Sequence, residues 1–289
     1  MFYLIIVSII WALSFGLIKT YLVGLDPNLV SFIRLAISLL VFLPFLRIKT
    51  LPKALVGKFV FLGMIQFGIM YIAYIHAYQY LKAYQIALFT IFTPLCVTLI
   101  NDLLTKKFHP LFLITTSLAV FGTGIIVYKD IGLKDFQWGF VLMQISNMSF
   151  AFGQIYYKKL LKDNSLLKDR NVFGLLYLGA VLITALSASL TVSWTMVSIS
   201  ITQMFVLLYL GLIASGLCFF LWNYGAKLTN TGSLAILNNI KIPLAILFAV
   251  VFFGESVNLA RLLTGGSIIF AALALNEFLK IKISSIDCD

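Results

Sequence analysis

Residues 238 to 243 read Asn-Asn-Ile-Lys-Ile-Pro, two amides, one ammonium and a proline set within an otherwise apolar run. Lys241 is the tenth residue of the apolar stretch 232–253, about 13–15 Å from the nearer end at a helical rise of roughly 1.5 Å per residue. A lysine stem does not reach water from that depth. A charge at the centre of a bilayer costs about 2.5–3.5 kcal/mol even on lenient insertion scales, so such a residue faces a cavity or a partner. The ten acids of the chain all fall in loops, tails or the last turns of apolar spans, and none is expected to meet Lys241 at mid-depth. Three chemistries stay open. Lys241 is neutral and hydrogen-bonded to Asn, Gln or Tyr; it is charged in a wet cavity and awaits an anionic group on a ligand; or it carries a chromophore as a Schiff base.

The neighbouring residues favour a ligand site over a buried structural lysine. Asn238 lies three residues before Lys241 and shares its helical face. Pro243 donates no backbone hydrogen bond, which leaves the carbonyl of Asn239 open. Pro94 does the same for Thr90, next to Thr93, so both prolines are candidate hinges; the plainer alternative is a simple kink. Gln144, Asn147, Ala151 and Gln154 make a stripe too polar to face lipid, suited to cavity lining or to hydrogen bonds between helices. Tyr71, Tyr74 and Tyr78 share one face, as do Trp222 and Asn223 on a later span, and packing competes with cavity lining at each. His76 reads as an interfacial, hydrogen-bonded histidine. Glu255 is expected to cap the helix that follows it. Catalysis has no support: there is no metal-binding His pair, no G-x-S-x-G and no phosphate loop, and neither a metal nor a cofactor is implied.

These side chains need elements that cross a membrane. The chain of 289 residues is 62% hydrophobic and 11% charged, more apolar surface than a soluble domain hides. Ten apolar spans of bilayer length are expected, at 2–20, 29–46, 59–80, 84–103, 110–128, 136–157, 172–192, 203–226, 232–253 and 260–279. The net charge of +11 is topological bias rather than a nucleic-acid footprint. With odd-numbered spans running outward, inner loops carry 14 Lys and Arg and outer loops 5, with Arg34 and Lys241 inside spans. Positive loops stay cytoplasmic, which puts both termini there, in the inner membrane. Cys96, Cys218 and Cys288 offer no disulfide framework. The first apolar stretch has neither a basic flank nor a small-residue cleavage site and reads as a retained helix.

The chain also repeats itself. A shift of 149 residues lays "FTPLCV" (92–97) on "KIPLAI" (241–246), Thr115 on Thr264 and Phe121 on Phe270. A shift of 139 lays "WALSFGLIK" (11–19) on "FAFGQIYYK" (150–158). Two copies of five spans each insert in opposite senses, an arrangement common among transporters with a midplane site between the repeats. "IIWALSFGLIK", "SFIRLAISLLVFLPF", the prolines of the fourth and ninth spans and "FFGES" ahead of a glycine-rich last span resemble the EamA type of the drug/metabolite transporter superfamily. One departure is that the Gly-Glu expected after the fourth span reads Thr105-Lys106, whereas Gly254-Glu255 keeps it after the ninth.

The resemblance implies an all-α integral membrane fold: ten transmembrane helices as two inverted five-helix repeats, 1–132 and 133–289, around a central cavity worked by alternating access. It places the first and fourth spans along that cavity, which brings in Trp11 and Thr93, and it matches Arg34 to a family arginine expected to snorkel or to tie helices together. The candidate binding residues are then Lys241, Asn238, Asn239, Trp11, Thr90, Thr93, Asn147, Tyr74 and Trp222. The expected function is secondary transport, as an exporter, of amino acids or related carboxylates by a monomer or homodimer in the lipid bilayer, with no nucleic-acid partner. The alternative is a membrane sensor with a chromophore on Lys241.

Overall fold

The computed structural model describes residues 2–48, 51–105, 118, 121, 125, 133–164, 166–228, 231–255 and 258–286. Nine helices are described in full: α1 (Phe2–Leu22), α2 (Pro27–Phe45), α3 (Lys53–Ala77), α4 (Ala83–Leu104), α5 (Leu133–Asp163), α6 (Asp169–Thr191), α7 (Ile201–Leu228), α8 (Thr231–Val251) and α9 (Leu259–Ile286). There is no strand among the described residues. Nine of the ten expected spans thus appear as helices, several running past the apolar limits into charged ends. The fifth, 110–128, lies outside the described residues apart from the helical positions Leu118, Phe121 and Ile125. Six helices, α1 to α4, α6 and α7, are long and apolar enough to cross a membrane, and α8 and α9 contain shorter apolar stretches. In lipid a helix satisfies its own backbone, so apolar length and helix formation go together.

Polar residues mark the helix ends. Asp26 caps α2 by accepting from the N–H groups of Asn28 (2.8 Å) and Leu29 (3.3 Å), with Pro27 as the first helical residue. Ser200 and Gln203 form a reciprocal capping box at the start of α7. At the end of α8, Gly254 takes φ 64° and lets the N–H of Glu255 reach back to the carbonyl of Ala249 (3.0 Å).

Close packing fixes how the helices meet. α1 lies against α8 and α7, and α6 packs against both α2 and α3, with α5 on the other side of α3. The α3–α6 contact brings backbones together at Gly63 and Gly179, where an added Cβ would fall on the carbonyl oxygens of Leu176 and Val60. Small residues take this role because lipid supplies no hydrophobic drive for helix association. Apolar side chains also point outward, such as Leu182, Leu186 and Leu190 on α6 and Phe205, Leu208 and Leu212 on α7, at the helical spacing of a lipid-facing stripe.

Three π-helical stretches, Ile18–Leu22, Met64–Ile69 and Leu210–Leu217, interrupt α1, α3 and α7. The paired helix breaks expected at the prolines are unequal. Thr90–Phe92 ahead of Pro94 tightens into a 3-10 turn, and the carbonyl of Thr90 accepts the N–H of Thr93. That carbonyl is therefore satisfied, because a tighter turn supplies the donor that proline withholds. Pro243 lies inside α8, which stays α-helical on both sides of it.

Candidate functional site

Helices from both halves of the chain enclose one cavity. Its wall is Trp11, Ser14 and Phe15 of α1, Arg34 of α2, Met70, Tyr71 and Tyr74 of α3, Thr90 and Thr93 of α4, Met143, Ser146, Asn147 and Phe150 of α5, Phe219 of α7 and Lys241 of α8. The centre of a water molecule can range over about 80 Å³ of it. Among the described residues no Asp or Glu is part of this wall.

Lys241 is 4% exposed and stands in an aromatic cage. Its Nζ is 5.2 Å from the ring centroid of Trp11 and 5.8 Å from that of Trp222. The two indoles pack at 5.0 Å, and Trp11 also meets Phe219 at 4.9 Å and Phe150 at 6.0 Å. Indole faces hold a cation by their quadrupole, worth about 2 kcal/mol when water is excluded. Trp11 is fixed by its Nε1–H, which donates to the carbonyl of Ala214 at 2.8 Å. That carbonyl belongs to the π-helical turn of α7, and side chains of other helices bond further carbonyls of the same turn. Tyr177 Oη donates to Ser215 O (2.6 Å) and Gly216 O (2.9 Å), and Ser38 Oγ donates to Gly211 O (2.9 Å). A π turn displaces carbonyls from the regular ladder, and here they become attachment points for α1, α2 and α6.

The opposite wall is polar. Thr93 Oγ1 donates to Asn147 Oδ1 at 3.1 Å, and Asn147 Nδ2 donates to the carbonyl of Phe89 at 2.9 Å. Thr90 turns its hydroxyl back to its own helix, at Ala87 O (2.7 Å). Tyr74 and Tyr78 share a hydroxyl hydrogen bond of 2.7 Å.

Arg34 completes the site and corrects an expectation. An arginine seven residues from the end of α2 was expected to snorkel, yet it is 2% exposed. Its Nη2 donates to Tyr71 Oη (3.0 Å) and Ser215 Oγ (3.1 Å), and those two oxygens are 2.7 Å apart. The guanidinium carbon lies 4.7 Å from the Tyr71 ring centroid. Arg34 thus ties α2 to α3 and α7, the other half of its expected role.

Of the nine residues that the sequence put forward, Lys241, Trp11, Thr90, Thr93, Asn147 and Tyr74 line the cavity. Trp222 stands behind the wall and supports Lys241. The side chains of Asn238 and Asn239 lie outside the described residues. Phe15, Arg34, Met70, Met143, Ser146, Phe150 and Phe219 were missed as lining, and Tyr71, for which packing and lining were both open, joins the wall. For Arg34 the signal was present, since the cost argument used for Lys241 applies equally to a second cation inside a span. His76 is held by a bond between its Nδ1 and Ile72 O (2.7 Å), as its plainer reading required. Glu255 caps a helix, though not the one expected. Its carboxylate accepts from the N–H groups of Ala83 (2.8 Å) and Tyr84 (3.1 Å) at the start of α4. The principle that an acid suits a helix N-terminus holds, but the nearest N-terminus in space is not the next one in sequence.

A bundle of apolar helices with a polar, cationic cavity shared by both halves defines a multi-pass membrane transporter. The chain belongs to the EamA-like transporter family, which it matches over residues 1–128 and 137–277. It is 37% identical over 273 residues to the biotin transporter of Salmonella typhimurium, spanning 93% of this chain and 90% of that protein. It is 36% identical to the biotin transporter of Escherichia coli (strain K12) over 273 residues, with the same coverage. The probable biotin transporter of Pseudomonas aeruginosa is 36% identical over 277 residues, 95% of this chain and 96% of that protein. A solved crystal structure superposes with a TM-score of 0.68 over 96% of both chains at 15% identity, a likeness of fold alone. Membership in a transporter family favours transport over the sensor reading of the chain.

Proposed function

We propose that this protein is a secondary transporter that moves biotin, or a closely similar carboxylate with an apolar body, across the cytoplasmic membrane by alternating access through the cavity. The observation that carries the reading is a cavity with two cations, Lys241 and Arg34, an aromatic wall and, among the described residues, no acidic one. A free amino acid suits such a wall poorly, because its ammonium would meet two cations and no carboxylate. Biotin is an anion at neutral pH, has a hydrocarbon chain for aromatic surfaces, and ends in a neutral ring that hydrogen-bonds to hydroxyls and amides such as Thr93 and Asn147. The names of the relatives support the same substrate. The two matched segments of the family support two five-helix repeats, 1–132 and 133–289, inserted in opposite senses. The Lys and Arg bias supports cytoplasmic termini. Monomer and homodimer both accommodate this reading, since the cavity is built within one chain.

The test is flux of labelled biotin across proteoliposomes, measured inward and outward, beside a panel of labelled amino acids, for the wild type and Lys241→Ala. Biotin crosses only with the protein present, and Lys241→Ala lowers the flux at least about tenfold, the scale of one charge-assisted contact. Biotin flux equal to that of protein-free vesicles would remove the reading. Equal flux through wild type and Lys241→Ala would remove the role of Lys241 alone.

A further inference from the structure

Arg34 carries more donors than the protein uses. A guanidinium has five N–H bonds. The two on Nη2 go to Tyr71 Oη and Ser215 Oγ. The three on Nε and Nη1 are buried and have no acceptor among the described residues. No carboxylate pairs with this side chain among the described residues either. The ring of Tyr71 also faces the charge, its centroid 4.7 Å from the guanidinium carbon. A buried charged group with most of its donors unmet by protein is costly, and proteins rarely keep one unless something else completes it. Arg34 is also part of the cavity wall, with Tyr71 and Tyr74 beside it.

We infer that Arg34 is the carboxylate-docking residue of the cavity, with Tyr71 and Ser215 as the pair that aims it. The inference rests on the proposed transport of a carboxylate and assigns its two cations different tasks. Lys241 lies against the faces of two indoles, Trp11 and Trp222. Arg34 is planar, its Nη2 is pinned by two hydroxyls that bond each other, and its unmet N–H bonds, closed to a water-sized sphere in this conformation, are therefore fixed in direction. With both Nη2 hydrogens taken, neither face of the guanidinium offers a complete fork, so a carboxylate docks through single charge-assisted bonds to Nε or Nη1. Tyr71 and Ser215 come from α3 and α7, and the π-helical turn of α7 contains Ser215. Docking at Arg34 thus joins the ligand to three helices, α2, α3 and α7. A neutral amide of the same shape keeps the apolar contacts and lacks the charge.

The experiment measures ligand binding to the purified full-length protein in lipid nanodiscs, through the fluorescence of Trp11 and Trp222 in a chain carrying Trp138→Phe and Trp194→Phe. Four probes are used: biotin, biotinamide, pentanoate and pentanamide. The wild type prefers each acid over its amide by roughly ten- to a hundredfold, the scale of charged hydrogen bonds. Arg34→Gln removes most of each acid's preference over its amide, keeping at most the part that Lys241 supplies, and leaves the amides where they were, a result that a purely structural role does not produce. Arg34→Lys keeps the charge without the planar guanidinium and recovers only part of the preference; it carries the test if Arg34→Gln does not fold. Lys241→Gln keeps an acid-over-amide preference. The inference is overturned if the wild type shows no preference in either pair, if both Arg34 variants retain it in full, or if Lys241→Gln alone abolishes it. Biotin as the substrate fails separately, when pentanoate shows an Arg34-dependent preference and biotin neither binds nor crosses.

Discussion

An ammonium and a guanidinium in one cavity repel each other, and aromatic rings offset that only in part. Trp11 is the residue where the two ends of the site meet, since it faces Lys241 and donates to the turn that contains Ser215. Trp11→Phe keeps a ring and removes the indole N–H, leaving the carbonyl of Ala214 without its donor. The expected loss is about 1–3 kcal/mol of stability, read as a lower melting temperature, together with weaker ligand binding. Asn147→Leu is expected to cost a similar amount, because it strands both Thr93 Oγ1 and the carbonyl of Phe89. At this scale Lys241 was legible because its cost in hydrocarbon does not depend on its neighbours. For Arg34 the family resemblance left two roles, snorkelling or tying helices together, and only its burial decides between them. Helix packing around α2 closes the route to water, and packing is not written in one span.

Helices in this bundle are placed by glycines and by π turns, and these differ in how they show in the sequence. Gly63 and Gly57 lie on the same helix, yet a Cβ at Gly63 would strike Leu176 O while one at Gly57 meets nothing within 4 Å. Gly63→Val is expected to prevent stable assembly, and Gly57→Ala to be neutral or slightly stabilising, as read by detergent-resistant melting and yield of monodisperse protein. Tyr177→Phe leaves the carbonyls of Ser215 and Gly216 without their shared donor. It should lower stability by about 1–3 kcal/mol and loosen the turn that positions Ser215. The prolines were visible as punctuation. The π turns were not, because one extra residue in a helical turn has no composition of its own.

Across the whole molecule each end of the bundle is latched by polar groups. At the end where α4 begins, Glu255 holds the N-terminus of that helix and Lys19 Nζ donates to Tyr78 O at 2.7 Å. At the other end Lys227 pairs with Asp169, which also accepts from Tyr157 Oη at 2.9 Å, so that α5, α6 and α7 are joined. Alternating access requires one latch to yield while the other holds. Glu255→Ala is expected to raise the reactivity of a cysteine placed at Tyr74 toward a water-soluble maleimide, in a chain whose native cysteines are replaced. Asp169→Asn is expected to leave that site unchanged and to lower the melting temperature, by about 1–2 kcal/mol for a partly exposed pair. Reporter fusions at both termini should register the cytoplasmic side, as the charge bias requires.

Residue types and apolar run lengths alone determined that this chain is a bundle of membrane helices, where nearly every helix lies, and that Lys241 is a basic group deep inside an apolar span. Apolar length is sufficient for this, because a helix in lipid closes its backbone hydrogen bonds by itself and an ammonium costs the same on any apolar span. The tertiary structure decided which polar groups share the cavity, that Arg34 is among them, and that Glu255 serves α4. The physical reason is that lipid and protein interior are equally apolar, so a membrane helix shows little periodicity to say which face points inward. Direction is set only when helices pack, through glycine contacts, displaced carbonyls and hydroxyls that find their partners on other helices.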